Sequence, residues 1–511
     1  MAPLAIAGKQ LRLRGSGTAL LALVVACAVG ALSSVSIIAA LAAAVVASSV
    51  AVAAAVPVRT RAFAWRALLL LLCGYLVLGR IAAYVGVPPI FVGEIVLSLC
   101  LLAFLVGGDA AALLRRPGAW AISAFIGWGL VCTFPYVSRY GLASLRDAVT
   151  YGYAVFAVLV LWFLSAPGAI DGMLHAYRRA LPWCVPAIAV LCVIFHLAPE
   201  RFPNVPGSAE TLGVKPGDVA VHLAGACAFL LAFAGRAEVR AHSVSDSWRA
   251  FVFWPSVAAG LLLSASSSRG GMLAFTVAIG VVLTLRPKRA RAGGRGIVLF
   301  PTIVLALAFL LLSPTLNRFE RREGSLNQVV LNVKSILGDA GTDEMQGTKS
   351  WRLDWWREII GYAVIGEHRW RGKGYGVNLA ESDGFVVDKE NALRSPHSVH
   401  MTFLARGGIP GLALWLVVLG TTALALLRAH RRSATDDARR AAIAVVAAYW
   451  VAMIVNASFD VYLEGPTAGI WFWCLTGLAL ALADNHADTS SGSTSRAAGT
   501  AGVDHLALAP T

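Results

Sequence analysis

Long apolar runs separated by short basic loops fill the chain from Thr18 to Leu482. Each run reaches about 17–22 residues, enough to cross a bilayer as a helix. The pattern predicts about fourteen spans, near residues 18–34, 36–56, 67–85, 90–106, 118–137, 148–165, 181–198, 217–234, 250–265, 270–285, 296–312, 410–428, 441–458 and 467–483. The 18–56 stretch can also be read as one hairpin, and Ser266-Ser267-Ser268-Arg269 interrupts the 250–285 stretch. The expected fold is all-α: a polytopic membrane bundle of about 12–14 transmembrane helices with one large helical loop. The boundaries read as an N-terminal transmembrane bundle over 1–312, the loop over 313–409, closing transmembrane helices over 410–484 and a tail over 485–511. The tail is rich in Ser, Thr, Gly and Ala and is expected to be disordered.

Composition excludes a soluble chain: of 511 residues, 58% are hydrophobic and 14% charged. Lys9, Arg12 and Arg14 precede the first apolar run, as in an uncleaved signal anchor. The net charge of +15 suggests nucleic acid in a soluble protein, but here its placement gives another reason. Basic residues cluster in alternate loops: Arg59, Arg61 and Arg66; Arg115 and Arg116; Arg178 and Arg179; Arg286, Lys288, Arg289, Arg291 and Arg295; Arg428, Arg431, Arg432, Arg439 and Arg440. The positive-inside rule then puts both termini in the cytoplasm and the 313–409 loop on the outer face. All eight cysteines (Cys27, Cys73, Cys100, Cys132, Cys184, Cys192, Cys227 and Cys474) fall in apolar runs, so no disulfide framework is expected. No Cys/His spacing suits zinc, and no outer carboxylate group suits magnesium. No metal or other cofactor is predicted.

The outer loop concentrates the candidate chemistry. Around Trp351 to Ile360 it reads as an amphipathic helix, with Trp355, Trp356, Ile359 and Ile360 spaced for one face at the headgroup layer. A loop with Gly372, Gly374 and Gly376 follows. Ser395-Pro396 then has the form of a helix cap and first position, which places His397 in the first turn. An imidazole at that positive end resists protonation and stays available as a base, and the same turn favours a bound phosphate. His400, one turn on, is the competing histidine. Gly407-Gly408 should break this short helix before Pro410 opens the next span.

Basic residues expected near the outer mouth are Arg139, Arg146, Arg269, Arg352 and Lys373. Arg269 follows Ser268 at the start of a span, where hydroxyls and free N–H groups can join a guanidinium around a diphosphate. The plainer alternative for Arg269 is a side chain reaching lipid headgroups. For Arg352 it is an ordinary interfacial helix.

His397-Ser398, nine residues, Gly408, two residues and Gly411 is similar to the signature of the O-antigen ligase family. Ser268-Arg269-Gly270-Gly271 resembles the family's Ser-Arg-Gly segment. Arg352 with Trp356, then Gly372, Gly374 and Gly376, is similar to the run before the family's histidine. Pro88-Pro89 and the Arg146-Asp147 to Tyr153 segment also look familiar. Arg369, Arg371 and Lys373 depart from it by crowding basic charge into the glycine loop.

The resemblance implies a metal-independent, inverting glycosyltransferase in a bacterial inner membrane, with its active site on the periplasmic side. It would move a glycan from a polyprenyl diphosphate to an acceptor hydroxyl, such as a glycolipid core. His397, Arg269 and Arg352 would be catalytic, and Arg139, Arg146, Ser268, Lys373 and His400 would bind substrate. A polymerase or protein-directed transferase of the same family would differ only in acceptor. A lipid-linked oligosaccharide flippase is the alternative of another class, and the lack of visible internal repeats counts against it.

Overall fold

A chain crossing a bilayer must satisfy its backbone polar groups within its own segments, and this one does so with helices. The structure is a computed structural model that describes residues 57–87, 90–116, 118–204, 212–233, 247–288, 290, 343–386 and 394–484. The main helices are α1 (Pro57–Leu78), α2 (Val92–Gly107), α3 (Ala119–Tyr140), α4 (Leu142–Gly152), α5 (Val155–Phe163), α6 (Ala169–Leu197) and α7 (Pro216–Ala232). They continue as α8 (Ser247–Ser267), α9 (Arg269–Leu285), α10 (Asp343–Ile360), α11 (Val399–Arg432), α12 (Asp437–Ala457) and α13 (Pro466–Asp484). A two-stranded antiparallel pair, Gly86–Val87 with Ile90–Phe91, is the one sheet among the described residues.

The protein is an all-α, multi-pass membrane protein. Among the described residues, six helices are long and apolar enough to cross a membrane, and the bent pair α4–α5 would make a seventh. Shorter apolar helices include α2, α7 and α9. The expected spans at 18–34, 36–56 and 296–312, the N-terminal anchor, Pro88-Pro89 and the 485–511 tail lie outside the described residues. The other expected spans each fall on a described helix.

The chain divides into two compact units, Met1–Leu72 with Gly86–Leu113, and Cys73–Val85 with Leu114–Thr511. In the first, the Cys100 thiol donates to the Ala64 carbonyl and ties α2 to α1. The second holds the candidate chemistry. Its centre is a three-helix cluster of α7, α9 and α12. These helices meet on small residues, as membrane helices do when backbones must approach closely. A Cβ at Gly271 would lie 2.9 Å from the Gly217 Cα, and one at Gly225 would enter the Tyr449 ring. Around this cluster α13 packs on α5, α11 on α3, and α6 on α8.

The Trp-rich helix forms as the sequence predicts, but a different set of side chains faces inward. Trp355 and Ile359 are fully buried with Ala363, Leu379, Ala380, Leu404 and Ala405, whereas Ile360 is exposed. Trp355 stacks on Phe385 and its Nε1 donates to Asp383 (2.7 Å). Buried aromatics of this kind build a core rather than a headgroup contact.

Candidate functional site

Three helix ends converge on one cavity of about 570 Å³. α7 begins beside it at Lys215-Pro216-Gly217, and α9 begins beside it at Ser268-Arg269-Gly270. α12 ends beside it, followed by Phe459 and Asp460, and α10 contributes Arg352 and Trp356. Pro216 at the first helical position and Ser268 as N-cap explain why both helices start there. The Ser268 hydroxyl accepts from the Gly271 N–H (3.1 Å). Two helix N-termini therefore add their positive ends to Lys215, Arg269 and Arg352, which suits an anion.

One carboxylate opposes these cations. Asp460 receives Lys215 Nζ on Oδ2 at 3.5 Å and faces His397 Nδ1 with Oδ1 at 3.8 Å. Burial pushes the Asp460 carboxyl up, but the facing His397 ring and Lys215 outweigh it and hold it well below the usual carboxylate range. Arg352 Nη1 donates to the Phe459 carbonyl (2.8 Å), while its Nε is buried without a partner among the described residues. Burial works against the Arg352 charge, Asp460 favours it, and Arg269 opposes it. Asn456, fully buried on the same wall, leaves both amide atoms unpartnered among the described residues.

His397 stands behind Asp460, three-quarters buried, with the Trp351 ring edge-on at 6.1 Å. Its φ of 53° is the one positive value outside glycine among the described residues. Holding a side-chain-bearing residue there costs about 1–3 kcal/mol and needs support from its surroundings. Trp356 Nε1 supplies some of it by donating to the Pro396 carbonyl (2.8 Å).

The helix after His397 is broken where the glycine spacing predicts. Gly408 takes φ 65° and ψ −166° inside α11. A helix interrupted in this way orphans the carbonyls before the break. The glycine loop and α3 satisfy them: Lys373 N–H donates to Ala405 (2.7 Å), Gly374 N–H to Arg406 (3.1 Å) and Trp128 Nε1 to Gly407 (2.8 Å). Ile409 N–H in turn donates to Arg369 (2.7 Å). A side chain at Gly408 or Gly372 would strike the opposing backbone.

Residues 254–416 match the family model for O-antigen ligase. Over that segment, about a third of its length, the chain is similar to the O-antigen ligase family. No curated protein matches the sequence. The matched segment holds Ser268, Arg269, Arg352, His397, Gly408 and Gly411, but neither Lys215 nor Asp460.

The structure gathers some of the expected residues and disperses others. Ser268, Arg269 and Arg352 line the cavity, with His397 adjacent through Asp460. Arg139 is exposed at the end of α3, over the Tyr140 ring, and does not line the cavity. Arg146 lies 3.7 Å from Asp147 in a different charge cluster. Lys373 is held by Asp383 (2.5 Å) and Ser382 (3.2 Å) over the Tyr362 ring, which neutralises one of the three basic residues of the glycine loop.

His400 has both nitrogens engaged: Nδ1 accepts from Trp415 Nε1 (3.0 Å), so Nε2 carries the proton towards the Ser458 hydroxyl (3.0 Å). The expected cap also shifts. The helix begins at Val399 after Ser398, so His397 precedes the first turn rather than occupying it. Pro396 biases the residue before it away from helix, and His397 in the left-handed region cannot continue one.

Sequence reasoning missed Lys215, Asn456 and Asp460. The signal was present as polar residues at span ends: Lys215-Pro216-Gly217-Asp218 before one apolar run, and Asn456 to Asp460 after another.

Proposed function

We propose that this protein transfers a glycan from a polyprenyl diphosphate to an acceptor hydroxyl, as an O-antigen ligase, at the outer face of a bacterial inner membrane. The observation that carries the proposal is the cavity itself, with three cations and two helix N-termini around one space. Diphosphate oxygens accept charge-assisted bonds from Arg269, Arg352 and Lys215, and Arg offers a bidentate fork. The polyprenyl chain extends from there into the bilayer.

His397 acts as general base. A carboxylate on the Nδ1 side fixes the proton there and leaves Nε2 as the acceptor. The 3.8 Å separation from Asp460 is long for a hydrogen bond, and such contacts often tighten only when substrate is bound. Nε2 takes the proton of the acceptor hydroxyl as its oxygen attacks the anomeric carbon. The bond from that carbon to the diphosphate oxygen breaks, and the polyprenyl diphosphate leaves with its charge held by the cations. Single displacement from the opposite face inverts the anomeric centre. The cations provide the charge stabilisation that metal-dependent transferases take from a divalent ion, so the proposed reaction is metal-independent.

The test is transfer by the purified full chain in detergent, where both substrates share one phase and no leaflet must be crossed. A glycan appearing on the acceptor hydroxyl in the presence of a chelator, with the opposite anomeric configuration, is the expected result. Movement of lipid-linked glycan across vesicles with no transfer in detergent supports a flippase and overturns the proposal. Gene deletion distinguishes the acceptor: a ligase leaves long polymer on the carrier, whereas a polymerase leaves single repeat units.

A further inference from the structure

A second cavity, of about 430 Å³, opens at the opposite ends of the same helices. α7 runs from Gly217 at the first cavity to Phe229 and Phe233 at the second. α12 runs the other way, from Arg439 at the second to Asn456 at the first. The 17 residues of α7 span about 25 Å, close to the hydrocarbon thickness of a bilayer. The second cavity therefore sits at the other membrane surface, too far from His397 to take part in glycan transfer.

Its charges are balanced. Arg178 and Arg439 bring two positive charges, and Asp171 and Asp436 bring two negative ones. Arg439 donates to the Leu482 carbonyl through Nη2, but its Nε is buried without a partner among the described residues. Asp436 caps α12 through Oδ1, accepting from Ala438 and Arg439 N–H groups at 3.0 Å, and its Oδ2 makes no hydrogen bond among the described residues. Arg178 and Asp171 form no ion pair among the described residues. Phe229 and Phe233 give the same space an apolar wall.

We propose that this cavity binds a phospholipid whose head group carries both a phosphate and a primary amine, as phosphatidylethanolamine does. The phosphate takes the guanidinium groups of Arg178 and Arg439, the ammonium takes Asp171 and Asp436, and the first acyl carbons lie on the two phenylalanines. A purely anionic head group would leave two carboxylates facing its phosphate, and a purely cationic one would leave two guanidinium groups unpaired. The volume falls within the range of about 300–1,000 Å³ usual for small-molecule sites.

Native mass spectrometry of the full chain tests this, with release from micelles holding equal amounts of dioleoyl phosphatidylethanolamine and dioleoyl phosphatidylglycerol. Retention of the ethanolamine lipid about five-fold or more over the glycerol lipid is expected, equivalent to about 1 kcal/mol. Arg178→Gln should lower retention of both lipids. Asp171→Asn changes an exposed side chain and should remove the preference while keeping bound lipid. This selectivity reading survives if Arg178→Gln fails to fold. Equal retention of the two lipids, retention of neither, preference for the glycerol lipid, or an unchanged preference in Asp171→Asn overturns the proposal.

Discussion

Two charge clusters in this bundle are built in opposite ways. Around Asp147 the charges are closed: Arg394 donates to it through Nε (3.2 Å) and Nη2 (2.9 Å), Arg406 lies at 3.0 Å, and Gly376 N–H donates at 3.1 Å. The same arginines also hold backbone carbonyls, Arg394 that of Gly376 and Arg406 that of Val377. In the cavity the polar groups are less completely matched. Lys215 lies 3.5 Å from the one carboxylate of the lining, Asp460, and buried nitrogens of Arg352, His397 and Asn456 have no partner among the described residues. Buried polar groups are ordinarily satisfied, so an open cluster beside a closed one marks where a ligand completes the bonding. The closed cluster fixes the glycine loop and the segment leading to His397. Its role is to hold the strained residue in place.

Substitutions in the two clusters should therefore fail in different ways. His397→Ala is expected to give the largest loss of transfer, about 10²–10⁴-fold, with unchanged membrane insertion and thermal midpoint. Arg269→Ala should follow at about 10²–10³-fold, with Arg269→Lys only partly restored because a lysine lacks the fork. Full recovery by lysine would sink the diphosphate assignment.

In the closed cluster, Asp147→Ala leaves Arg394 and Arg406 buried without their counter-charge. It should destabilise the protein by about 3–5 kcal/mol, read as a lower thermal midpoint before any kinetic change is interpreted. A stable Asp147→Ala variant with slow transfer would place Asp147 with the open cluster instead.

Asp460→Asn should reduce transfer less than His397→Ala, and by the same factor at pH 5 and pH 7. The sign follows from the direction of its shift. A depressed carboxylate contributes its pairing energy above the ordinary value of about 3.9 and loses it only as pH falls through the lower folded value. Asp460 therefore remains charged across that interval, and a deficit that disappears at pH 5 contradicts the pairing described. The smallest effect on transfer is expected from His400→Gln, since His400 is occupied with Trp415 and Ser458. Its cost should appear as about 1–3 kcal/mol of stability, from a buried donor left unmatched.

Part of the cavity was legible along the chain, the cluster around Asp147 was not, and the missing part has a physical reason. Apolar run length located the described spans because a helix in lipid must be apolar over its whole crossing. The interval from His397 to Gly408 and Gly411 was legible through its similarity to the family signature, and the kink at Gly408 shows why a residue without a Cβ stands there. Arg269 was legible as a charge at the start of a span, and Arg352 as a charge in the Trp-rich helix. Lys215 and Asp460 were present as polar residues at span ends, but nothing along the chain joins the two ends. Only the packing of α7 and α12 against α9 brings them together. The same limit explains Arg139 and Lys373: a sequence shows that a cation is present, but not that a neighbouring ring or carboxylate already holds it. Helix propensity likewise placed the cap at Ser395, whereas the left-handed His397 moves it to Ser398.

The central claim is that the cavity holds the diphosphate while His397 moves the proton. Donor binding and single-turnover transfer, measured side by side on purified wild-type, His397→Ala and Arg269→Ala protein with a polyprenyl diphosphate glycan, test it most directly. The expected result is that His397→Ala binds donor as tightly as wild type and transfers at least about 10²-fold more slowly. Arg269→Ala should lose donor affinity. Transfer by His397→Ala at the wild-type rate, or undiminished donor binding by Arg269→Ala, would contradict the claim.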